Sequence, residues 1–299
     1  MLVATTRKEI GRGSYRAHYA ASRSVFIAAI RRTGLLFDSS FTAGERKRSR
    51  GVMLYLLLQG TLELTIDPEH AFVAPVAFCF DEAQFEGGAD APGVPFRNWG
   101  EPLEAVEIRL ALTDLQLKGE RPIAIELPAP VWSAAHRLAE LSTTEGLEAA
   151  CRALLRDLAD ANLISPRLAQ EADEHEGRVA RMWEAIRPFA ERLDLLNSLD
   201  ALSLAAGLSL RHLARELSDF PKSLRVPFMG WRETTKRYRI KLATLALSEA
   251  ELSIAQVAEL AGYGSTEAMN RAFRDEGIDA PSRVREALLA RLRRLEREP

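Results

Sequence analysis

Residues 253–273 read SIAQVAELAGYGSTEAMNRAF. Ser253 followed three positions later by Gln256 is the reciprocal pairing that opens a helix, and Ile254, Val257 and Ala261 then fall on one face. Gly262 stands just past the last of these, where a residue without a Cβ takes the left-handed turn, and Tyr263 plugs the corner. A second helix is expected from Ser265 or Thr266, with Met269 and Phe273 facing back. Two short helices, a Gly turn and the small Ala258 where they cross describe a helix-turn-helix, which lays its second helix in the DNA major groove.

Many glycines between short helices imitate one such unit, so the second copy decides. Residues 198–217 read SLDALSLAAGLSLRHLAREL. Ser198, Leu199, Leu202, Ser203, Gly207 and Leu208 answer Ser253, Ile254, Val257, Ala258, Gly262 and Tyr263, and after a turn one residue shorter Leu213, Arg215 and Leu217 answer Met269, Arg271 and Phe273. The repeat predicts two tandem reading heads.

With both heads, the connecting KRYRIKLATLAL and the closing Ile278-Asp279-Ala280-Pro281 in order, residues from about 176 to 287 resemble the DNA-binding domain of the AraC/XylS family of bacterial transcription regulators. Between the heads, SDFPKSLRVPFMGW (218–231) departs from the family's short Gly-containing segment. In the first head, burial of Leu213 and Leu217 turns Arg211, Ala214 and Arg215 outward; in the second, burial of Met269 and Phe273 leaves Thr266, Glu267, Asn270 and Arg271 outward. Arginine can bond guanine O6 and N7 together, asparagine adenine N6 and N7, and a carboxylate cytosine N4. Each has a plainer reading: the arginines as phosphate grips or surface partners of Glu216, Glu267 as a helix-start charge, and His212 as a packing or phosphate-facing residue. The resemblance implies that the outward positions of both second helices read sequence.

The segment from Phe228 to Ser248 is expected to be one connecting helix with Trp231, Tyr238, Leu242 and Leu245 inward. A helix of about 20 residues spans about 30 Å, close to one turn of DNA. A platform helix with Val179, Met182, Trp183, Ile186 and Phe189 precedes the first head, broken or kinked at Pro188, and a basic amphipathic helix follows Pro281. The net charge of −2 divides unevenly: 21 Lys+Arg against 18 Asp+Glu in 176–299, and 19 against 24 in 1–175. Phosphate binding is therefore expected from local clusters, Lys236, Arg237, Arg239 and Lys241 being the densest.

The rest of the chain has room for a domain of its own in 299 residues. Residues 1–50 are weakly patterned, with a strand or helix at Val25–Ile30 and a basic loop, GERKRSR, at 44–50. Strand signals dominate 51–112: VMLYLLL, a Gln59-Gly60 turn, TLELTI with Leu62, Leu64 and Ile66 on one face, then Phe72-Val73, Val76-AFCF, a Gly/Pro-rich loop at 87–102, and LEAVEIRL. Many short strands suit a barrel or sandwich, and LLLQGTLELTI resembles the cupin-like sensory domain that precedes the DNA-binding half in AraC relatives. From Pro128 to Gln170 the period turns helical, with stripes at Val131, Ala135, Leu138 and Leu141, and at Leu147, Cys151, Leu154, Leu155 and Leu158, fitting internal packing or a dimer seam.

The expected fold class is thus α+β: a cupin-like β-barrel with flanking helices over 1–170, a linker at 171–177, and an all-α domain with two helix-turn-helix motifs over 178–299. The implied function is a sequence-specific DNA-binding transcription regulator, an activator, whose partners would be double-stranded DNA, RNA polymerase, a small-molecule effector and a second copy of the chain. A catalytic cupin needs about three metal ligands. Residues 51–112 hold a single histidine, His70 in a turn, so no metal, cofactor or enzyme activity is expected. The rivals are a cupin-like enzyme with a DNA-binding appendage and an interaction module with degenerate heads. Phe78, Phe80, Phe85, Phe96 and Trp99 line a small effector pocket or simply form core. Cys79 and Cys151 read as core residues, and without an apolar run near 18 residues or a secretory start the expected location is the cytoplasm, with no membrane partner.

Overall fold

The structure, a computed structural model, describes residues 1–42, 51–64, 67–81, 96–171, 177–192, 198–226 and 230–295. The basic loop at 44–50, Ile66, Phe85 and most of the expected linker lie outside the described residues. The fold is α+β. Among the described residues nine antiparallel strands precede the helices: β1 (Leu2–Ile10), β2 (Gly13–Ala21), β3 (Val25–Thr33), β4 (Phe37–Asp38), β5 (Gly51–Leu64), β6 (Asp67–Val73), β7 (Val76–Asp81), β8 (Phe96–Ala111) and β9 (Ile123–Ile125). They hydrogen-bond in the order β1-β2-β3-β8-β5-β7-β9, with β4 on β8 and β6 on β5.

Residues 1–50 carry more structure than their pattern suggests. β1 and β2 form a hairpin whose Ile10↔Gly13 pair closes on Gly11-Arg12, with Gly11 at φ 60°. Their mixed alternation reflects position: β1 ends the sheet, with Ala4 and Thr6 buried and Arg7 and Glu9 exposed.

Two expectations about β5 and β8 are corrected. Gln59-Gly60 is no hairpin turn: β5 runs straight through it, and its register with β8 slips on either side of Gln59. Gly60 absorbs the irregularity at φ 102°, where an added Cβ would lie 2.5 Å from the Trp99 carbonyl oxygen. β8 in turn starts at Phe96, inside the stretch expected to be loop.

The unbroken apolar run of β5 is explained by burial on both faces. Met53, Tyr55 and Leu57 join one cluster, while Val52, Leu54, Leu56 and Leu58 join the other, beneath helices α1 (Ala129–Glu140) and α2 (Leu147–Asp160). Val131, Ala135 and Leu138 of α1 and Leu147, Cys151, Leu154, Leu155 and Leu158 of α2 belong to that second cluster, so the helical stripes are spent on the sheet. Cys79 and Cys151 are buried and free, and burial pushes both thiols up to about 12.

The remaining helices are α3 (Arg167–Gln170), α4 (Gly177–Glu191), α5 (Leu199–Ala206), α6 (Leu210–Ser223), α7 (Trp231–Leu247), α8 (Ile254–Leu260), α9 (Thr266–Asp275) and α10 (Pro281–Leu295). α4 continues past Pro188 for a further turn. The first head packs in a core of its own, where Leu202, Leu213 and Leu217 meet Val179, Met182, Trp183 and Trp231, closed by Ala4 of β1. The second head shares its core with the sheet: one contiguous cluster runs from Tyr55 and Phe80 through Ile240 and Leu245 of α7 to Met269 and Phe273 of α9. Among the described residues no helix is long and apolar enough to cross a membrane.

Gly60→Ala should destabilise the chain by about 1–3 kcal/mol through its strained φ and the approach of Trp99. Urea unfolding of the two proteins measures this, and equal midpoints would show that the register slip does not need glycine at position 60.

Candidate nucleic-acid interface

The second head is built as its residue types dictate. The Ser253 side chain accepts from the Gln256 N–H at 3.2 Å, and the Gln256 side chain accepts from the Ser253 N–H at 2.8 Å, so both halves of the box that starts α8 are made. Gly262 turns at φ 76°, and the Tyr263 N–H closes on the Ala258 carbonyl at 2.8 Å. α9 is capped by Ser265, whose Oγ accepts from the Ala268 N–H at 3.2 Å. Met269 and Phe273 are fully buried, which leaves Glu267, Asn270 and Arg271 exposed and Thr266 half-exposed on the outer face. Thr266 donates to the Glu267 carboxylate at 3.2 Å, and the backbone N–H of Glu267 with the hydroxyls of Ser265 and Thr266 holds that carboxyl below its usual range. Glu267 is thus engaged at the helix start.

The first head repeats this plan with different details. Ser198 accepts from the Ala201 N–H at 3.0 Å, Gly207 turns at φ 63°, and Ser209 caps α6. α6 runs to Ser223, six residues beyond the stretch that matches α9's partners. Arg211, His212, Ala214 and Arg215 are exposed, so His212 has no packing role. Glu216 pairs with Arg178 of α4 at 3.2 Å rather than with either outward arginine. Leu199, Leu204 and Leu210 are exposed on the same head.

The cation cluster on the connector is used differently from the expectation. α7 has 17 residues, about 25 Å of helix. Lys236 bonds Glu276 at the end of α9 and lies 3.3 Å from Glu233; Arg237 bonds Glu233 at 3.0 Å. The Nε of Arg239 is buried. These side chains bind the connector to the second head and to itself, and not to a phosphate.

Lys241, the last of that cluster, points into the sheet. Its Nζ lies 5.2 Å from the centre of the Phe37 ring, and the Arg32 guanidinium lies 5.2 Å from the same ring. Arg32, only 4% exposed, donates to Asn98, which donates to Tyr55, while its Nε meets no partner among the described residues. Glu107 and Arg109 complete the group, 3.9 Å apart. Three cations (Arg32, Arg109 and Lys241) thus surround one carboxylate in an apolar interior. Burial lowers the Lys241 ammonium, partly offset by Glu107, and lowers the Arg32 guanidinium; the Tyr15 hydroxyl is pushed up to about 12 by burial. The local excess of positive charge suits an anion. The pattern offered no sign of this group, because its members come from three distant segments. Of the aromatic residues expected at a pocket, Phe96 lines this one, Phe78 and Phe80 are core, and Trp99 lines a separate cleft of about 620 Å³ between the sheet and α10.

No family model matches the chain, and no curated protein does. Among solved structures it is similar to ToxT from Vibrio cholerae with unsaturated fatty acid bound, at 10% identity over 93% of this chain and 96% of that one, with a TM-score of 0.36. It is also similar to the AraC-like transcriptional activator CuxR, at 13% identity over 87% and 91% of the two chains and a TM-score of 0.27. A DNA-binding transcriptional dual regulator from Escherichia coli K-12 covers 40% of this chain with 97% of its own, at 16% identity and a TM-score of 0.30. At such values the functional reading rests on this chain's own residues.

Proposed function

We propose that the chain is a sequence-specific DNA-binding transcription regulator of the AraC/XylS type, an activator working in the bacterial cytoplasm, that acts by binding rather than by catalysis. The observation that carries this reading is the pair of capped helix-turn-helix units on one connector, each with polar side chains exposed on its second helix. Arg211 and Arg215 in one groove segment and Asn270 and Arg271 in the next would read base edges. Ala214 would face a thymine methyl, and Thr266 and Glu267 the groove wall at the start of α9. In this reading residues 1–170 sense and 178–299 bind DNA, joined at 171–177, with RNA polymerase and a second copy of the chain as further partners.

The effector is proposed to be an anion, held between Arg32 and Lys241. The buried excess of positive charge supports this, and ToxT, which carries an unsaturated fatty acid, supplies a carboxylate as the first class to try.

On an operator obtained by selection from random duplexes, Arg215→Ala and Arg271→Ala should each weaken binding by about 1–3 kcal/mol and relax preference at one position. Unchanged affinity in the double variant would refute the reader assignment. Calorimetric titration with oleate should show Lys241→Ala and Arg32→Ala each losing about 1.5–3 kcal/mol, the worth of a hydrogen bond to a charged group; equal affinity in all three proteins would remove the pocket from consideration.

A further inference from the structure

The cleft of about 620 Å³ between the sheet and α10 has the size of a small-molecule site. Its apolar wall is Leu35 from the turn after β3, the half-buried Trp99 of β8, and Leu289 and Leu292 of α10. Two carboxylates complete it. Glu101 stands exposed on β8 and accepts the Gly34 N–H at 2.9 Å, whereas Glu249, just past the C-cap of α7, is only 8% exposed.

Glu249 is fixed in place. Its two oxygens accept from the backbone N–H groups of Arg12 at 3.1 Å and Glu251 at 3.2 Å, and a Cβ on Gly11 would lie 2.5 Å from its Cγ, so the side chain is wedged against the β1–β2 turn. An ionised carboxylate offers about four lone-pair sites, of which these bonds use half. Charges withdrawn from water are as a rule paired with an opposite charge. Among the described residues no cationic side chain pairs with Glu249 or Glu101; the Arg12 guanidinium turns instead to Glu251, at 2.5 Å. Arg293 reaches the lining from α10, but it is exposed, and its Nε donates to the Leu289 carbonyl of its own helix at 3.2 Å. The cleft is therefore left with a net negative charge beside an indole and three leucines, the opposite of the excess around Arg32 and Lys241.

We propose that this cleft binds a small organic cation, an alkylammonium on an apolar body, whose charge meets Glu249 and Glu101 while its body lies against Trp99 and the leucines. Indole is the best aromatic partner for a cation, and an ammonium supplies charge-assisted bonds to the lone pairs that the backbone leaves unused. A neutral molecule of the same shape leaves Glu249 without a counter-charge, and an anion is repelled. The site does not depend on the effector reading of Arg32 and Lys241. Sheet and second head already share one interior, so the bound cation adds to their union rather than parting them.

Calorimetric titration of the full chain with 4-phenylbutylamine, 4-phenylbutanol and 4-phenylbutyrate tests this, since the three share a body and differ in charge. Near neutral pH, where the amine is protonated, it should bind about tenfold tighter than the alcohol, the worth of a hydrogen bond to a charged group, and the butyrate should bind weakest. Glu249→Gln should weaken the amine about tenfold and leave the alcohol within about twofold. Glu101→Gln, at an exposed position, should weaken the amine about threefold; Trp99→Leu should weaken amine and alcohol together, and Lys241→Ala should change neither. If Glu249→Gln does not fold, Glu101→Gln and Trp99→Leu decide between them. Equal affinity for the three probes, no binding of the amine, or amine affinity unchanged in the glutamine variants would overturn the proposal. So would loss of amine binding in Lys241→Ala, which would put the amine at the other site.

Discussion

From Ile240 to Leu247 the connector helix is buried nearly all round, and the molecule is arranged to satisfy that burial. An amphipathic helix hides one stripe; Ile240, Leu242, Ala243, Leu245, Ala246 and Leu247 leave no polar side to present to water. The sheet covers one side and α8, α9 and α10 cover the other. The apolar interior of the N-terminal half and that of the second head are therefore one body. A methyl group removed from either would be felt by both, because close-packed interiors transmit small changes of volume.

The first head obeys a different rule. Its helices enclose their own apolar residues with α4 beneath them, and only Ala4 and the partly buried Leu2 and Tyr19 come from the sheet. Two copies of one motif thus sit in unlike mechanical settings. The sheet has several polar grips on the second head's side, at Arg12, Leu36, Phe41 and Glu63, the last pairing with Arg291 of α10. α10 is a bridge between the second head and the sheet.

Local signals were legible and distant ones were not. Ser253 with Gln256, Gly207, Gly262 and the spacing of Met269 and Phe273 announce their structures because a cap, a left-handed turn or a helical face is written within a few residues. The hairpin of β1 and β2 hides because its pairing is read against β3 and α4, not along its own chain. Gln59-Gly60 imitates a turn because a bulge and a turn use the same residue type; only β8 lying alongside tells them apart. Lys236 and Arg237 look like phosphate grips until Glu276 and Glu233 are brought beside them, and nothing in the spacing of Arg32, Glu107 and Lys241 shows that folding gathers them.

The turn between β2 and β3 has one more consequence. Ser22 and Ser24 both donate to the Glu171 carboxylate, at 2.6 and 3.0 Å, and the carbonyl of the same Ser22 receives the Arg225 N–H. The chain leaves for the first head and comes back from it at a single point, like a drawstring purse gathered at its neck. Residues 171–225 are in this sense an excursion with fused ends, and the entropy of closing such a loop grows only slowly with its length. Recombination could exchange the first head for another helical unit between those two anchors, leaving the sheet and the second head joined through their common interior.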